Sequence, residues 1–236
     1  TFLAPLQIPH APSAAARFGR HAIRSARSLA RSQFEGDMPQ ALLAGVAAHA
    51  IQPLTSTGTA GYGLFLSLLA HASGWPVARG GSQQLANALG AIFTELGGTI
   101  VTDETVTDLT ALPPARITLL DITPRQFVQL AGDRLDGRYL RALNEFRYGP
   151  GVFKIDWALT GPIPWTNAAV RTAGTVHVGG TLEAITAAEA EVAAGRHPDQ
   201  PYGIVGQPTG MDPSRAPAGR QVAWACAHDP NGTTAA

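Results

Sequence analysis

This sequence has a single cysteine, a single lysine and few charged residues, and these shortages exclude several classes of site. With only Cys226 available, the chain cannot form an internal disulfide or a metal site built from several cysteines. Charged residues make up 14% of the chain and the formal net charge is zero. The chain as a whole therefore has no charge bias toward nucleic acid.

Four motifs of known chemistry are also missing. The sequence contains no G-x-G-x-x-G dinucleotide fingerprint, no G-x-x-x-x-G-K-[ST] phosphate loop, no G-x-S-x-G nucleophile elbow and no H-E-x-x-H metal motif. Its seven histidines are scattered along the chain. The residues alone therefore reveal no complete catalytic set, and we expect no metal site.

Long apolar runs are absent too. No stretch reaches the roughly 18 apolar residues that a membrane span requires. The first residues, TFLAPLQIPHAP, lack the basic and apolar regions of a signal peptide. We therefore expect a cytoplasmic protein.

A row of arginines at helical spacing raises the question of whether the protein contacts a membrane. In a helix predicted over residues 14–33, five arginines recur every three or four positions: Arg17, Arg20, Arg24, Arg27 and Arg31. A solvated surface is the favoured interpretation. The alternative is a helix that lies on an anionic membrane surface, which would make the protein peripheral at the membrane.

The rest of the chain alternates helical and strand patterns, which predicts an α+β fold. Residues 85–123 look α/β-like, whereas the pattern beyond Gly149 favours an antiparallel or mixed sheet flanked by helices. Apolar run 116–123 indicates a strand covered on both faces. Further helices are predicted at 39–50, 64–72, 83–96, 126–130, 135–146 and 181–194, and further strands at 99–101, 105–109, 152–159, 174–178, 202–207 and 221–227.

Two groups of residues are candidates for ligand contact. The doubled glycine in Arg79-Gly80-Gly81-Ser82 precedes a predicted helix, where the backbone could approach a ligand closely. A simple tight turn is the favoured alternative from local features alone. Large side chains that could line an apolar cavity, or equally belong to an ordinary core, are Tyr148, Phe153, Trp157, Trp165 and His228.

Several strings resemble one protein family. Residues 75–82, WPVARGGS, followed by LANALGAIFTELGGTIVTDETVTDL, resemble the central segment of the phytoene desaturases, which are amine-oxidase-like flavoproteins. Four later strings resemble the phytoene-dehydrogenase-related oxidoreductases. They are GPGVFKIDWALTGPIPW (149–165), VHVGGTLEAI (176–185), QPTGMDPSRAPAGR (207–220) and AWACAHDPNGT (223–233).

This resemblance implies a domain arrangement. Family members bind FAD in a domain made of three sequence segments, and a second domain covers the flavin and forms the substrate tunnel. Residues 75–125 would be the central segment of the FAD-binding domain, with residues 1–74 and 126–236 on the substrate side. The N- and C-terminal flavin segments would be absent, and apolar surface left bare by their absence would favour self-association.

Only a few residues of this sequence match positions that contact FAD in the family. Arg79, Gly80 and Gly81 match a turn near the flavin, and Val106 matches a residue whose backbone meets the adenine ring. Thr123 and Pro124 match the end of a strand that passes the cofactor. No catalytic residue is identified.

The resemblance also implies an activity. The full-length protein would be an FAD-dependent oxidoreductase that transfers a hydride between FAD and a carbon–carbon bond of an apolar substrate, with an isoprenoid as one option. We expect this chain alone to be inactive, and whether NAD(P) takes part stays open. The alternative is a non-catalytic binding or interaction domain that retains the substrate fold without a working flavin site.

Overall fold

The computed structural model describes residues 11–232. The chain forms two compact units, one from residues 1–85 and 149–236 and the other from residues 86–148. These units do not coincide with the predicted segments 1–74, 75–125 and 126–236, which remain a prediction about domains. The first ten residues, where no signal peptide is expected, and the last four lie outside the described residues.

The predicted helices are present with changed ends, the first as two helices, and the described chain has a short additional helix, α9, that was not predicted. Their bounds are α1 Pro12–Ala22, α2 Ala26–Gln33, α3 Asp37–Ala48, α4 Thr59–Ser73, α5 Gln83–Glu95, α6 Pro124–Ala131, α7 Gly137–Asn144, α8 Leu182–Ala193 and α9 Pro208–Met211.

One antiparallel sheet organises the first unit. Its strands are β1 Gly151–Leu159, β2 Thr175–Val178, β3 Gly203–Gly206 and β4 Gln221–Asp229, in the order β1-β4-β3-β2. Every pair is antiparallel. A strand was predicted at each of these positions, from a period-two pattern in the case of β1, and the α+β class is confirmed.

Among the described residues of the first unit, the core helices lie on one face of this sheet. The core joins α2, α3, α4 and α8 to β3 and to the segment before it, through Leu29, Leu54, Ile185 and Tyr202 among others. Alanines fill much of this core, so the helices approach closely. A Cβ added at Gly63 of α4 would lie 3.0 Å from the Cβ of Ala47 in α3. Gly63 therefore sets the spacing of these two helices.

Three helix predictions near the N-terminus need correction. The single helix expected over residues 14–33 is broken between Ala22 and Ala26, because Ser25 caps α2 by accepting the Ser28 N–H at 3.2 Å. The helix predicted at 64–72 begins earlier, since α4 starts at Thr59. The apolar run 64–72 also lies outside the buried part of α4, whose buried residues are Thr59, Ala60 and Gly63.

The helices predicted at 126–130 and 135–146 are present and begin at capped residues. Thr123 caps α6 through a reciprocal capping box with Gln126, and Pro124 occupies the first turn. Asp136 caps α7 through the N–H groups of Arg138 and Tyr139. Beyond α5, Gly97 has a φ of 87°, the left-handed conformation that favours glycine after the end of a helix.

The strands predicted in this unit are wrong. Residues 99–101, 105–109 and 116–123 form no sheet, and a short 3₁₀ helix begins at Leu109. Run 116–123 was expected to be covered on both faces, yet Leu119 is 90% exposed. A strand is stable only when a neighbour supplies its hydrogen bonds, and these runs have no such neighbour within residues 86–148.

The apolar face of α5 also lies bare. Its helical spacing is confirmed, but the side chains that define the face are exposed: Leu85, Leu89, Ile92 and Leu96. Self-association through such surface stays a prediction. Among residues 11–232, no helix is both long and apolar enough to cross a bilayer.

Candidate functional site

The uncovered face of the sheet carries an apolar surface. Phe153, Ile155 and Trp157 of β1 share this face with Ala223 and Ala225 of β4, because Ile155 pairs with Ala225 and Trp157 with Ala223. The three large side chains are 40–53% exposed. This arrangement follows directly from the alternation of residues in β1.

A groove of about 540 Å³ lies on this face. Trp157, Leu159, Val205 and Ala223 form its sheet side, and residues 160–165 form the remaining wall. Its volume falls within the range of about 300–1,000 Å³ that is typical of small-molecule sites. Because no lining side chain is titratable, apolar burial dominates any binding here.

Hydrogen bonds hold the far wall of this groove in place. The Trp165 indole N–H donates to Gln207 Oε1 at 2.8 Å, and Gln207 Nε2 donates to the carbonyls of Val170 and Ala173. Arg171 donates to the backbone carbonyl of Trp165. The polar edge of the indole is thus satisfied, and Trp165 lines the groove.

Of the five predicted lining residues, the structure brings Trp157 and Trp165 together in the groove. Phe153 shares the sheet face but does not line the groove. Tyr148 belongs to the second unit, where its hydroxyl accepts the Arg125 N–H at 3.0 Å and the Arg125 guanidinium lies over its ring. His228 is buried on the opposite face of the sheet and does not face the groove.

The predicted Arg79-Gly80-Gly81 turn is fixed by a distant loop. Gly80 and Gly81 have φ angles of 79° and 98°, which glycine adopts without strain. The Gly80 N–H donates to Asp212 Oδ2 at 2.6 Å. This hydrogen bond, followed by one from the Ser214 hydroxyl, lowers the pKa of Asp212. The Arg215 guanidinium occupies the space that a Gly81 side chain would need.

A cavity of about 300 Å³ opens beside this turn. Val77, Leu85 and Trp224 give it apolar walls, while Arg215 adds a positive charge. The Asp212 carboxylate already accepts the Gly80 N–H, so a phosphate here would meet a negative charge. These residues therefore fit a flat heterocyclic ring of FAD better than its phosphates. The Arg79 side chain does not line this cavity.

Val106 lies in the second unit and lines a separate cavity of about 290 Å³ with Ile122, Gln126 and Leu130. Val106 is 44% exposed, and among residues 86–148 no hydrogen bond reaches its peptide groups. Open peptide groups beside apolar side chains fit the edge of an adenine ring. That Val106 and the glycine turn contact one flavin remains a prediction.

Thr123 and Pro124 have their polar groups engaged locally. The Thr123 N–H donates to Gln126 Oε1 at 2.9 Å, and the Thr123 carbonyl accepts the Phe127 N–H at 2.9 Å. Pro124 has no N–H to donate. Their observed role is to start α6, and their contact with a cofactor stays a prediction.

A buried polar cluster was not predicted. His228 Nδ1 lies 2.8 Å from Glu189 Oε1, and the Tyr202 hydroxyl donates to the Gly45 carbonyl at 2.7 Å. Nearby, His49 Nε2 and His177 Nε2 are 3.0 Å apart. One signal was available: Glu189 lies four residues after Ile185, on the apolar side of α8. Burial raises the pKa of Tyr202.

We expect Gly81→Ala to disturb the turn cavity without unfolding the protein. A Cβ at this position overlaps the end of the Arg215 side chain, which is flexible and can move away. Gly97→Ala is the matched control, because Gly97 has a similar φ and open space around it. Both variants should lose about 1 kcal/mol of unfolding free energy through the left-handed backbone. Thermal denaturation measures this loss.

Only Gly81→Ala should change reactivity near the turn. Displaced from the turn, the Arg215 guanidinium becomes more accessible to the arginine-modifying reagent phenylglyoxal. Peptide mapping by mass spectrometry follows the modification. Equal modification of Arg215 in the two variants would contradict the contact.

No group of three or more His, Cys, Asp or Glu residues within 11–232 is placed to hold a metal ion. No protein-family model matches the chain, and a search of curated proteins finds no relative. The resemblance to the phytoene desaturases therefore rests on the motifs themselves.

Proposed function

We propose that this chain is the substrate-binding part, with one flavin-domain segment, of an FAD-dependent oxidoreductase that resembles phytoene desaturase. The observation that carries the proposal is the tryptophan-lined groove on the uncovered face of the sheet. Helices cover the opposite face, so this one is available to a ligand.

The groove favours an apolar, unsaturated substrate. Its lining offers two indole rings, aliphatic side chains and prolines. The polar side-chain groups in this lining are the Thr160 hydroxyl and the two indole N–H groups, of which that of Trp165 donates to Gln207. Indole faces pack well against flat, conjugated carbon chains. Binding would come from burial of apolar area, at about 25 cal/mol per Å².

The cofactor positions have distinct tasks in this proposal. Gly80, Gly81 and Arg215 would hold one ring of FAD, and the peptide groups of Val106 would hold another. A bound FAD would supply hydride transfer to or from a carbon–carbon bond. The chain's own residues would position the apolar substrate and exclude water from it.

The second unit gives independent support. Its extended runs 99–101 and 116–123 expose apolar side chains and make no sheet hydrogen bonds among the described residues. In the family, segments at these positions belong to the flavin domain. Further strands of such a domain would supply their missing partners.

A non-catalytic binding domain is the second candidate. Two observations favour it. The groove lining carries no titratable side chain that could act as an acid or base. The Gly80 N–H of the glycine turn already donates to the Asp212 carboxylate and is not open to a flavin. Such a domain would bind the apolar ligand and take up no flavin.

We expect the chain to bind the isoprenoid alcohol farnesol, with a change in tryptophan fluorescence. Trp157→Ala should weaken binding by about tenfold or more, because one indole face is lost from the groove. Trp75→Ala is the matched control, since Trp75 is exposed and does not line the groove. Equal weakening by both variants, or no binding by the original chain, would rule out the groove as the substrate site.

Flavin uptake separates the two candidates. A longer product of the same coding region, carrying the flanking flavin segments, should be purified yellow and should be bleached by dithionite. A colourless longer product that still binds farnesol through Trp157 would identify a binding domain instead.

A further inference from the structure

A second groove, of about 420 Å³, lies on the helical side of the first unit and is polar. We call it the arginine groove. Ser25, the cap of α2, lies within it. The side chains that the argument uses are three arginines and three hydroxyl groups: Arg24, Arg27, Arg31, Ser28, Ser32 and Thr55.

Arg24 is held in position without a negative partner. Its Nη2 donates to the Ser28 carbonyl at 2.9 Å, to Ser28 Oγ at 3.0 Å and to Ser32 Oγ at 2.8 Å. Within residues 11–232, no carboxylate lies within 4.0 Å of its guanidinium. The hydroxyl groups therefore orient a cation whose Nε and Nη1 donors remain available to a ligand.

Arg27 and Arg31 share a single carboxylate. Arg27 Nη2 lies 2.9 Å from Glu183 Oε2, and Arg31 Nη2 lies 2.7 Å from Glu183 Oε1. The hydrogen bond from Arg27 is the main reason that the pKa of Glu183 is lowered. Three guanidinium groups and one carboxylate leave two uncompensated positive charges at the groove.

The backbone at the start of α2 does not take part. The Ala26 N–H donates to Thr59 Oγ1, the Arg27 N–H donates to the Leu54 carbonyl and the Ser28 N–H donates to Ser25 Oγ. Any anion in this groove must therefore be held by side chains. The Ser32 hydroxyl donates to the Leu29 carbonyl, which leaves the hydroxyls of Ser28 and Thr55 as donors beside the guanidinium groups. These donors around two excess positive charges match the several oxygens and the double charge of a phosphate monoester.

We infer that the arginine groove binds a phosphate group, carried either by a lipid headgroup or by a soluble phosphate ester. The site is independent of the flavin and of the tryptophan groove. The break between α1 and α2 also supplies a control, because Arg17 and Arg20 lie on α1 and do not line the groove.

The test compares two double variants of the whole chain. Arg24→Gln with Arg31→Gln removes two charges from the groove, and Arg17→Gln with Arg20→Gln removes two charges from α1. Inorganic phosphate should raise the melting temperature of the original chain and of the α1 variant above that in chloride of matched ionic strength. The groove variant should bind phosphate about tenfold more weakly or worse.

Vesicles distinguish the two sources of the phosphate. If the ligand is a headgroup, phosphatidylcholine vesicles containing phosphatidic acid, a phosphate monoester, should bind the original chain and the α1 variant, but not the groove variant. If phosphate stabilises the chain and these vesicles do not bind it, the ligand is a soluble ester.

Two results would overturn the inference. One is that phosphate stabilises the original chain no more than chloride does, even if vesicles bind. The other is that both double variants lose phosphate binding equally, which would indicate diffuse attraction to the arginine-rich surface. The melting temperatures in chloride alone report whether each variant is folded.

Discussion

Replacing Glu189 by alanine should lower the free energy of unfolding by about 1–3 kcal/mol, the range for leaving a buried polar group without its hydrogen-bond partner. The side chains of Glu189 and His228 are only 2% and 6% exposed, and their atoms approach to 2.8 Å. Loss of the carboxylate leaves a ring nitrogen of His228 without its partner in the core. Urea denaturation followed by circular dichroism measures the change.

Two further variants show what the pair contributes. Glu191→Ala is the matched control on the same helix, because Glu191 pairs with Arg196 on the surface and its loss should change little. Glu189→Gln keeps an oxygen that can accept a hydrogen bond from His228, so it should fall between the two. Equal midpoints for Glu189→Ala and Glu191→Ala would show that the buried pair does not stabilise the fold.

The second large effect is acid sensitivity through His177. Burial, and then the neighbouring His49, lower the pKa of His177 to about 4, against 6.5 when unperturbed. Between pH 4 and 6.5, His177 is protonated in the unfolded chain but neutral in the native protein. The free energy of unfolding therefore decreases as the pH falls below about 6.5, and it stops decreasing near pH 4. At about 1.36 kcal/mol per pH unit, the loss is on the order of 3 kcal/mol.

His177→Gln should remove the part of this pH dependence that His177 contributes. The test is the difference in unfolding free energy between the original chain and the variant, measured at several pH values. His71→Gln is the control, because His71 is exposed near the end of α4. The pKa of His49 is lowered too, so a smaller slope of the same sign should persist in the variant. Parallel curves for the original chain and His177→Gln would refute the assignment.

The sheet could be predicted because its signals are local. Alternation in β1 predicts both the strand and the face that Trp157 occupies, and Thr181 marks the start of α8 by capping it through the Ala184 N–H. These features depend on residues within a few positions of one another.

The largest failed prediction, the strand at 116–123, depends on partners far away in the sequence. Run 116–123 has the composition of a buried strand, but composition cannot supply a neighbouring strand. The break between α1 and α2 has a local cause, because Ser25 caps the start of α2. The arginines keep helical spacing across this break, and the sequence therefore predicted one continuous helix.

The candidate site was predicted only in part for the same reason. Trp157 was a candidate because of its strand, and Trp165 because of its size, and both line the groove. The partners of the glycine turn were not predicted, although the string around Asp212 and Arg215 had been noted for its resemblance. Gly80 and Asp212 are 132 positions apart, and no periodicity connects them.

Strand β4 contributes neighbouring residues to both the tryptophan-lined groove and the cavity beside the glycine turn. Its Ala223 lines the groove on one face, and the adjacent Trp224 lines the turn cavity on the other. Inserting one residue ahead of this pair would invert the strand and present the indole where the small methyl group now lies. Evolution can therefore reshape each cavity by substitution at alternate positions, whereas any odd-length insertion or deletion in β4 would abolish both at once.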